Sequence, residues 1–143
     1  MKKADQISIR RPKEFEEFIQ GLSKTKTPSA PFKAMYDVLV FAASVGFKNN
    51  LREAFSQSVG QIEYRLMQQN DYFETLMSTI SVMNNVGDHD CLSSDRLEER
   101  VLLFEEIMCG GLRFLNDQLT SYGGKDSTVV FFETLVSNSV NET

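Results

Sequence analysis

Residues 97–119 read LEERVLLFEEIMCGGLRFLNDQL, and their spacing decides the fold class. Leu97, Val101, Phe104, Met108, Leu112, Leu115 and Leu119 recur in steps of three and four. That spacing brings them to one side of an α-helix. The stripe crosses Gly110-Gly111 without losing phase, so it predicts one helix over about 95–120, capped by Ser93, Ser94 or Asp95. Two interior glycines cost such a helix about 2 kcal/mol relative to alanine. The simplest offset is close approach of another helix, where side chains would clash. Two helices meeting at a Gly-Gly corner are the alternative.

Working outward, the segment from Pro31 to Gly46 is apolar on nearly every side. Phe32, Met35, Tyr36, Leu39, Val40, Ala43 and Phe47 form one face, and Val38, Phe41, Ala42 and Val45 fill most of the other. A helix of this kind belongs at the centre of a core. Pro12 followed by Glu14, Glu16 and Glu17 marks a helix start, and Phe15, Phe18, Ile19 and Leu22 extend it over about 12–23. Asn70-Asp71 with Glu74 opens another, carried by Tyr72, Phe73, Leu76, Met77, Ile80 and Met83 to about Asn84. A last helix is expected over 126–139, with Val129, Phe132 and Val136 on its apolar side.

Residues 47–69 carry no strong period. Ile62, Tyr64 and Leu66 alternate as a strand would, pairing with 53–56, and a short helix is the rival reading. The expected fold is all-α: a compact bundle of about five helices with an optional short β-hairpin near 53–67. Residues 1–11 are expected to form a basic extended arm, 12–139 a single helical domain, and 140–143 a frayed tail.

The 143 residues carry a net charge of −5 with 41% hydrophobic content, an ordinary globular composition for one domain. No apolar run approaches the roughly 20 residues of a membrane span, and no apolar stretch follows the charged start as in a signal peptide. Cys91 and Cys109 are too few for a disulfide framework and read as reduced thiols, which points to the cytoplasm. The charge is unevenly spread. Residues 1–52 hold ten Lys/Arg and five Asp/Glu, whereas 53–143 hold five and fifteen. Such a split suggests contact with a polyanion or docking between opposite charges.

Motifs for catalysis are lacking. Asp88-His89-Asp90-Cys91 is the most site-like cluster, but a structural zinc site wants four Cys/His ligands and the chain has three such residues. The carboxylate pairs Glu16-Glu17, Glu98-Glu99 and Glu105-Glu106 are sequence neighbours, which point about 100° apart on a helix. No phosphate-loop lysine, dinucleotide glycine fingerprint or nucleophile elbow occurs. The candidate binding residues are therefore the basic ones. Arg10, Arg11 and Lys13 flank the first helix, and Lys48 and Arg52 follow the second.

Several stretches together resemble a known family. They are Arg10-Arg11-Pro12-Lys13-Glu14-Phe15, the run from Phe32 to Ala43, Gly46-Phe47-Lys48 through Arg52-Glu53, and Phe104-Glu105-Glu106 with Gly110-Gly111-Leu112. The chain is similar to small Dnd-system-associated proteins, which lie beside bacterial DNA phosphorothioation genes and in other phage-defence clusters. The likeness spans about two-thirds of the chain. It departs at Ala54, where the family is expected to favour proline. The resemblance implies an antiviral-defence setting and transfers no catalytic residue, cofactor or metal. The resulting expectation is a non-catalytic cytoplasmic adaptor that binds a larger defence-system protein. The alternative is a DNA-binding module using Arg10, Arg11, Lys13, Lys48 and Arg52 in a salt-dependent way. Homodimerisation is left open.

Overall fold

The structure, a computed structural model, describes residues 6–122. The helix expected over 126–139, the tail and residues 1–5 lie outside them. Among the described residues, five helices and two strands follow in the order β1 (Ser8–Pro12), α1 (Glu16–Leu22), α2 (Met35–Lys48), β2 (Ser58–Glu63), α3 (Tyr64–Met67), α4 (Phe73–Asn84) and α5 (Leu97–Tyr122). One-turn 3-10 segments, Lys13–Phe15 and Ser94–Arg96, lead into α1 and α5.

Helix α5 is continuous through Gly110-Gly111, as the unbroken stripe requires. Leu97, Val101, Phe104, Met108, Leu112 and Leu115 are all buried. The glycines are explained by what lies against them. A Cβ on Gly111 would fall on the Ala42 carbonyl oxygen, 2.7 Å from its carbon and 3.0 Å from the Gly46 nitrogen. A Cβ on Gly46 would in turn overlap the Ile107 carbonyl. Helices α2 and α5 thus touch backbone to backbone, a separation only glycine permits. Gly110 takes in the chain that follows α2, with its would-be Cβ 2.9 Å from the Arg52 nitrogen.

Helix α2 sits in the core, with Val38, Leu39, Val40, Ala42, Ala43 and Gly46 buried. It starts at Met35 rather than Pro31. Asp37 reaches back to the Ala34 N–H at its start, and its other oxygen accepts from Asn70 ahead of α4. Residues 23–32 form a loop closed by a bridge between Ser23 and Phe32.

The β structure differs from the expected hairpin. β2 does not pair with 53–56. It pairs antiparallel with β1, in the register Ser8↔Glu63, Ile9↔Ile62, Arg10↔Gln61 and Arg11↔Gly60. The stretch read as a free basic arm is extended, but it is held as a strand with Ile7 and Ile9 in the core. Both readings of 61–67 apply in turn, because β2 ends at Glu63 and α3 begins at Tyr64. Residues 51–57 run extended beside α5, the Glu53 N–H donating to the Glu106 carbonyl, and Gln57 receives the Lys13 N–H.

Helix α4 buries Phe73, Met77 and Ile80 as its period predicts. Its cap falls on Tyr72, one residue past Asp71. Asn70 accepts from the Tyr72 N–H, while Glu74 accepts from the Tyr64 hydroxyl and Gln68 instead of capping the helix. Tyr72 and Met83, assigned to its apolar stripe, are 74% and 61% exposed.

Candidate functional site: an ion-paired seam on α5

The predicted binding residues gather into one array only in part. Arg10 leaves β1 toward α5, where its Nε and Nη2 donate to Oε1 of Glu105 at 3.1 and 2.9 Å. The Arg10 backbone N–H donates to Oε2 of the same carboxylate at 2.7 Å. Glu105 is only 3% exposed, so its charge is taken out of water and compensated by one residue of β1. The Arg10 guanidinium also lies 4.7 Å from the Phe55 ring centre, a cation–π contact. The hydrogen bond that Arg10 donates to Glu105 is the main reason its guanidinium is held more firmly protonated than that of a free arginine, against the opposing effect of burial.

Arg52 pairs with the next residue of α5. Its Nε donates to Oε1 of Glu106 at 2.7 Å. Arg11 turns to Glu16 at the start of α1, donating from Nε at 2.9 Å, and Gln20 donates to the same carboxylate. Burial raises the Glu16 pKa, but the hydrogen bonds from Arg11 and Gln20, with the Arg11 charge, outweigh it and leave it below the ordinary glutamate value. Lys13 and Lys48 are exposed, and Lys48 ends α2. Arg10 and Arg52 therefore converge on adjacent residues of α5, whereas Arg11, Lys13 and Lys48 stand elsewhere.

Sequence reasoning missed the residues completing the seam. Arg113, two residues past the glycines, donates from Nε and Nη2 to both oxygens of Glu53 at 2.7 and 2.9 Å. It also pairs with Glu14 at 2.7 Å and lies 4.9 Å from the Phe15 ring centre. The hydrogen bond from Arg113 chiefly holds the Glu53 carboxyl below its usual range. The second Glu53 oxygen receives the Cys109 thiol at 3.6 Å. Burial, aided by the Glu53 charge, pushes the Cys109 thiol up to about 12, where a nucleophilic thiolate is not available near neutral pH. A shallow cleft of about 280 Å³ opens here, lined by Glu14, Phe15, Glu53, Phe55 and Cys109. The alternating charges Glu105, Glu106 and Arg113 on α5 were visible in the sequence, but the segments facing them were not.

Chemically, the seam is closed on itself. Each guanidinium donates to a carboxylate of the chain, so none of these acids is left as an unengaged base beside a nucleophile. The Asp88-His89-Asp90-Cys91 cluster is opened in a different way. Asp88 pairs with Arg96 at 2.8 Å, His89 and Asp90 face solvent, and Cys91 is buried. Among the described residues no group of three or more His, Cys, Asp or Glu is placed to hold a metal ion, and no helix is long and apolar enough to cross a membrane.

The model of the family "DNA sulphur modification system-associated protein 4" matches residues 8–143, and the chain belongs to that family. No curated protein and no solved structure matches it.

Proposed function

We propose that this member of the DNA sulphur modification system-associated protein 4 family is a non-catalytic adaptor that works in the cytoplasm by binding a larger protein of the system. Association with that system makes it an accessory of a defence-linked DNA modification process. The observation that carries the finer reading is the closed seam. Arg10, Arg11 and Arg52 spend their donors on Glu105, Glu16 and Glu106 within the chain, so their chemistry is used to assemble the fold. Arginines that neutralise DNA phosphates need those donors turned outward. The same argument bears on catalysis, since the acids of the seam are engaged by the guanidinium groups.

The test is co-expression with the proteins of the modification system, followed by affinity capture and assay of phage resistance. An adaptor is captured with a system protein, and its deletion changes resistance. A protein that purifies alone and whose deletion leaves resistance unchanged would refute the reading. Duplex DNA titrated at about 50 mM and 200 mM salt separates the alternative, because phosphate contacts give steep salt dependence. Arg10→Ala and Arg11→Ala are poor probes there, since both damage the fold. Lys13→Ala, which removes an exposed charge, is the cleaner one.

A further inference from the structure

The loop between α1 and α2 carries three cations that the fold does not use. Residues 23–34 read SKTKTPSAPFKA, with Lys24, Lys26 and Lys33 and no acid; the nearest acids in sequence are Glu17 and Asp37. All three lysines are exposed, and among the described residues none is paired with a carboxylate. They differ in this from Arg10, Arg11, Arg52 and Arg113, whose donors are engaged inside the chain. Asp37 is turned to the chain as well, accepting from the Ala34 N–H and from Asn70.

The loop is held at both ends. The Lys24 N–H donates to the Phe32 carbonyl at 2.7 Å, and the Phe32 N–H to the Leu22 carbonyl at 3.1 Å. The N–H groups of Lys26 and Thr27 both donate to the Ser23 carbonyl, and the Thr27 hydroxyl donates to the Gln20 carbonyl at 3.2 Å. Ser23 and Ala30 are buried, and Phe32 packs on Phe41 with ring centres 5.3 Å apart. Lys24 and Lys33 each follow one member of the Ser23–Phe32 bridge, so they leave neighbouring points of the backbone. Backbone already fixed in this way needs little further ordering when a ligand binds.

What the loop fits follows from what it lacks. A protein interface has an apolar core, and none of the large exposed apolar side chains of the described residues falls within 23–34. Exposed beside the lysines are Thr25, Pro28, Ser29 and Pro31. A cationic, polar surface without an apolar centre suits a phosphate backbone. The system for which the family is named modifies DNA, which makes DNA the phosphate polymer in question. Going beyond the adaptor reading, we infer that the 23–34 loop contacts the phosphate backbone of duplex DNA, with Lys24, Lys26 and Lys33 supplying charge and reading no sequence.

Binding to B-DNA falls with salt by a log–log slope of about 0.9 per phosphate neutralised. Three lysines thus predict a loss of about 40-fold between about 50 and 200 mM salt, whereas Arg10, Arg11, Lys13, Lys48 and Arg52 acting together would give about 500-fold. The test is fluorescence anisotropy of a labelled duplex titrated with the full chain at those two concentrations. Lys24→Gln with Lys26→Gln and Lys33→Gln should abolish the salt-dependent binding at an unchanged melting temperature. Each single Lys→Gln change should reduce the 40-fold loss to about 12-fold. Arginine at all three positions should retain binding, and Lys13→Ala, before the start of α1, should leave it unchanged. No binding at about 50 mM salt, or a triple glutamine variant that binds like the parent, would overturn the inference. So would polyglutamate of equal charge competing as well as DNA, which would give the loop to an acidic protein. The adaptor reading is judged separately, by capture of a system protein with no DNA present. Failed capture with loop-dependent DNA binding intact sinks the adaptor reading alone, and the reverse sinks this inference alone.

Discussion

Gly111→Ala is expected to destabilise the protein, although in an isolated helix the same change would stabilise it. Alanine gains about 1 kcal/mol over glycine in a helix interior. Here the new methyl would land on the Ala42 carbonyl oxygen, 2.7 Å from its carbon and 3.0 Å from the Gly46 nitrogen. These are backbone atoms of the packed helix α2, so no side chain can rotate away. Restoring ordinary contact of about 3.5 Å with that oxygen requires α2 and α5 to part by well over an ångström at their closest point. A gap of about 1 Å already forfeits up to about half of the dispersion well for the atoms that separate, and this one is wider. Overpacking in cores costs about 1–3 kcal/mol and sometimes more, and backbone against backbone belongs at the upper end. Net of the propensity gain, the loss is about 2–3 kcal/mol, or roughly 4–12 °C in melting temperature for a domain of this size. Gly21→Ala is the internal control. It lies in α1, with nothing within 4 Å of the position of its Cβ, and should gain about 0.5 kcal/mol. Urea denaturation of both variants reads the two signs together. A Gly111→Ala protein as stable as the parent would refute the backbone contact between α2 and α5.

Arg10→Ala strands the buried Glu105 carboxylate and should cost about 3 kcal/mol or more. Glu105→Gln should cost less, because Arg10 is partly exposed and can be hydrated; equal losses in denaturant titrations would contradict this asymmetry. Ser81 is buried, and its hydroxyl has no hydrogen-bond partner among the described groups, so Ser81→Ala should be neutral or gain about 1 kcal/mol. A clear loss would show that the hydroxyl is satisfied. Glu16 and Glu53 have pKa values lowered by folding, so their contribution is present above the ordinary glutamate value of 4.5 and is lost as pH falls through the lower folded values. Melting temperature should therefore drop below about pH 4.5, and drop less in Glu16→Gln; parallel acid profiles would rule out the Arg11 pair as a source. Raising the Cys109 thiol from 9.0 to about 12 lowers its thiolate fraction at a given pH by about a thousandfold. Ellman's reagent at pH 8 should react with Cys109 only on unfolding, and labelling in the native state at the rate of a free thiol would refute its burial.

Helix α5 was legible because seven apolar residues hold one phase over 23 positions, and because two glycines in that phase demand a close neighbour. Its neighbour α2 was legible for a related reason, being apolar on all sides. Strand β1 was not. Only Ile7 and Ile9 alternate before Pro12 ends the pattern, and the partner β2 lies some fifty residues later. Strand pairing is non-local, so a weak period in one short segment does not name its mate. A nearer match at 53–56 competed with β1 for β2, and those residues instead follow α5. Met83 shows a different limit. Helical period assigns a residue to a face, but does not say how far along that face the neighbouring helix extends. The seam was half legible. Arg10, Arg52, Glu105 and Glu106 could be seen as charges, but which of twenty carboxylates meets which guanidinium is decided by the packing of β1 and the 51–57 segment on α5.

The segments that carry the family resemblance meet in space. Arg10 joins Glu105, Arg52 joins Glu106, Glu14 and Glu53 share Arg113, and Gly46 faces Gly111. Each of these contacts joins parts of the chain far apart in sequence, and together they fix where β1, the 51–57 segment and α2 lie on α5. Residues engaged in this way are accounted for by the fold alone. The overlap between the basic residues and the resemblance, which on sequence grounds favours a binding patch, therefore loses its force as an argument for function. What packing leaves exposed is a set of large apolar side chains, Val82, Met83, Val86, Leu92 and Leu102. None of these five lies in a segment that carries the resemblance.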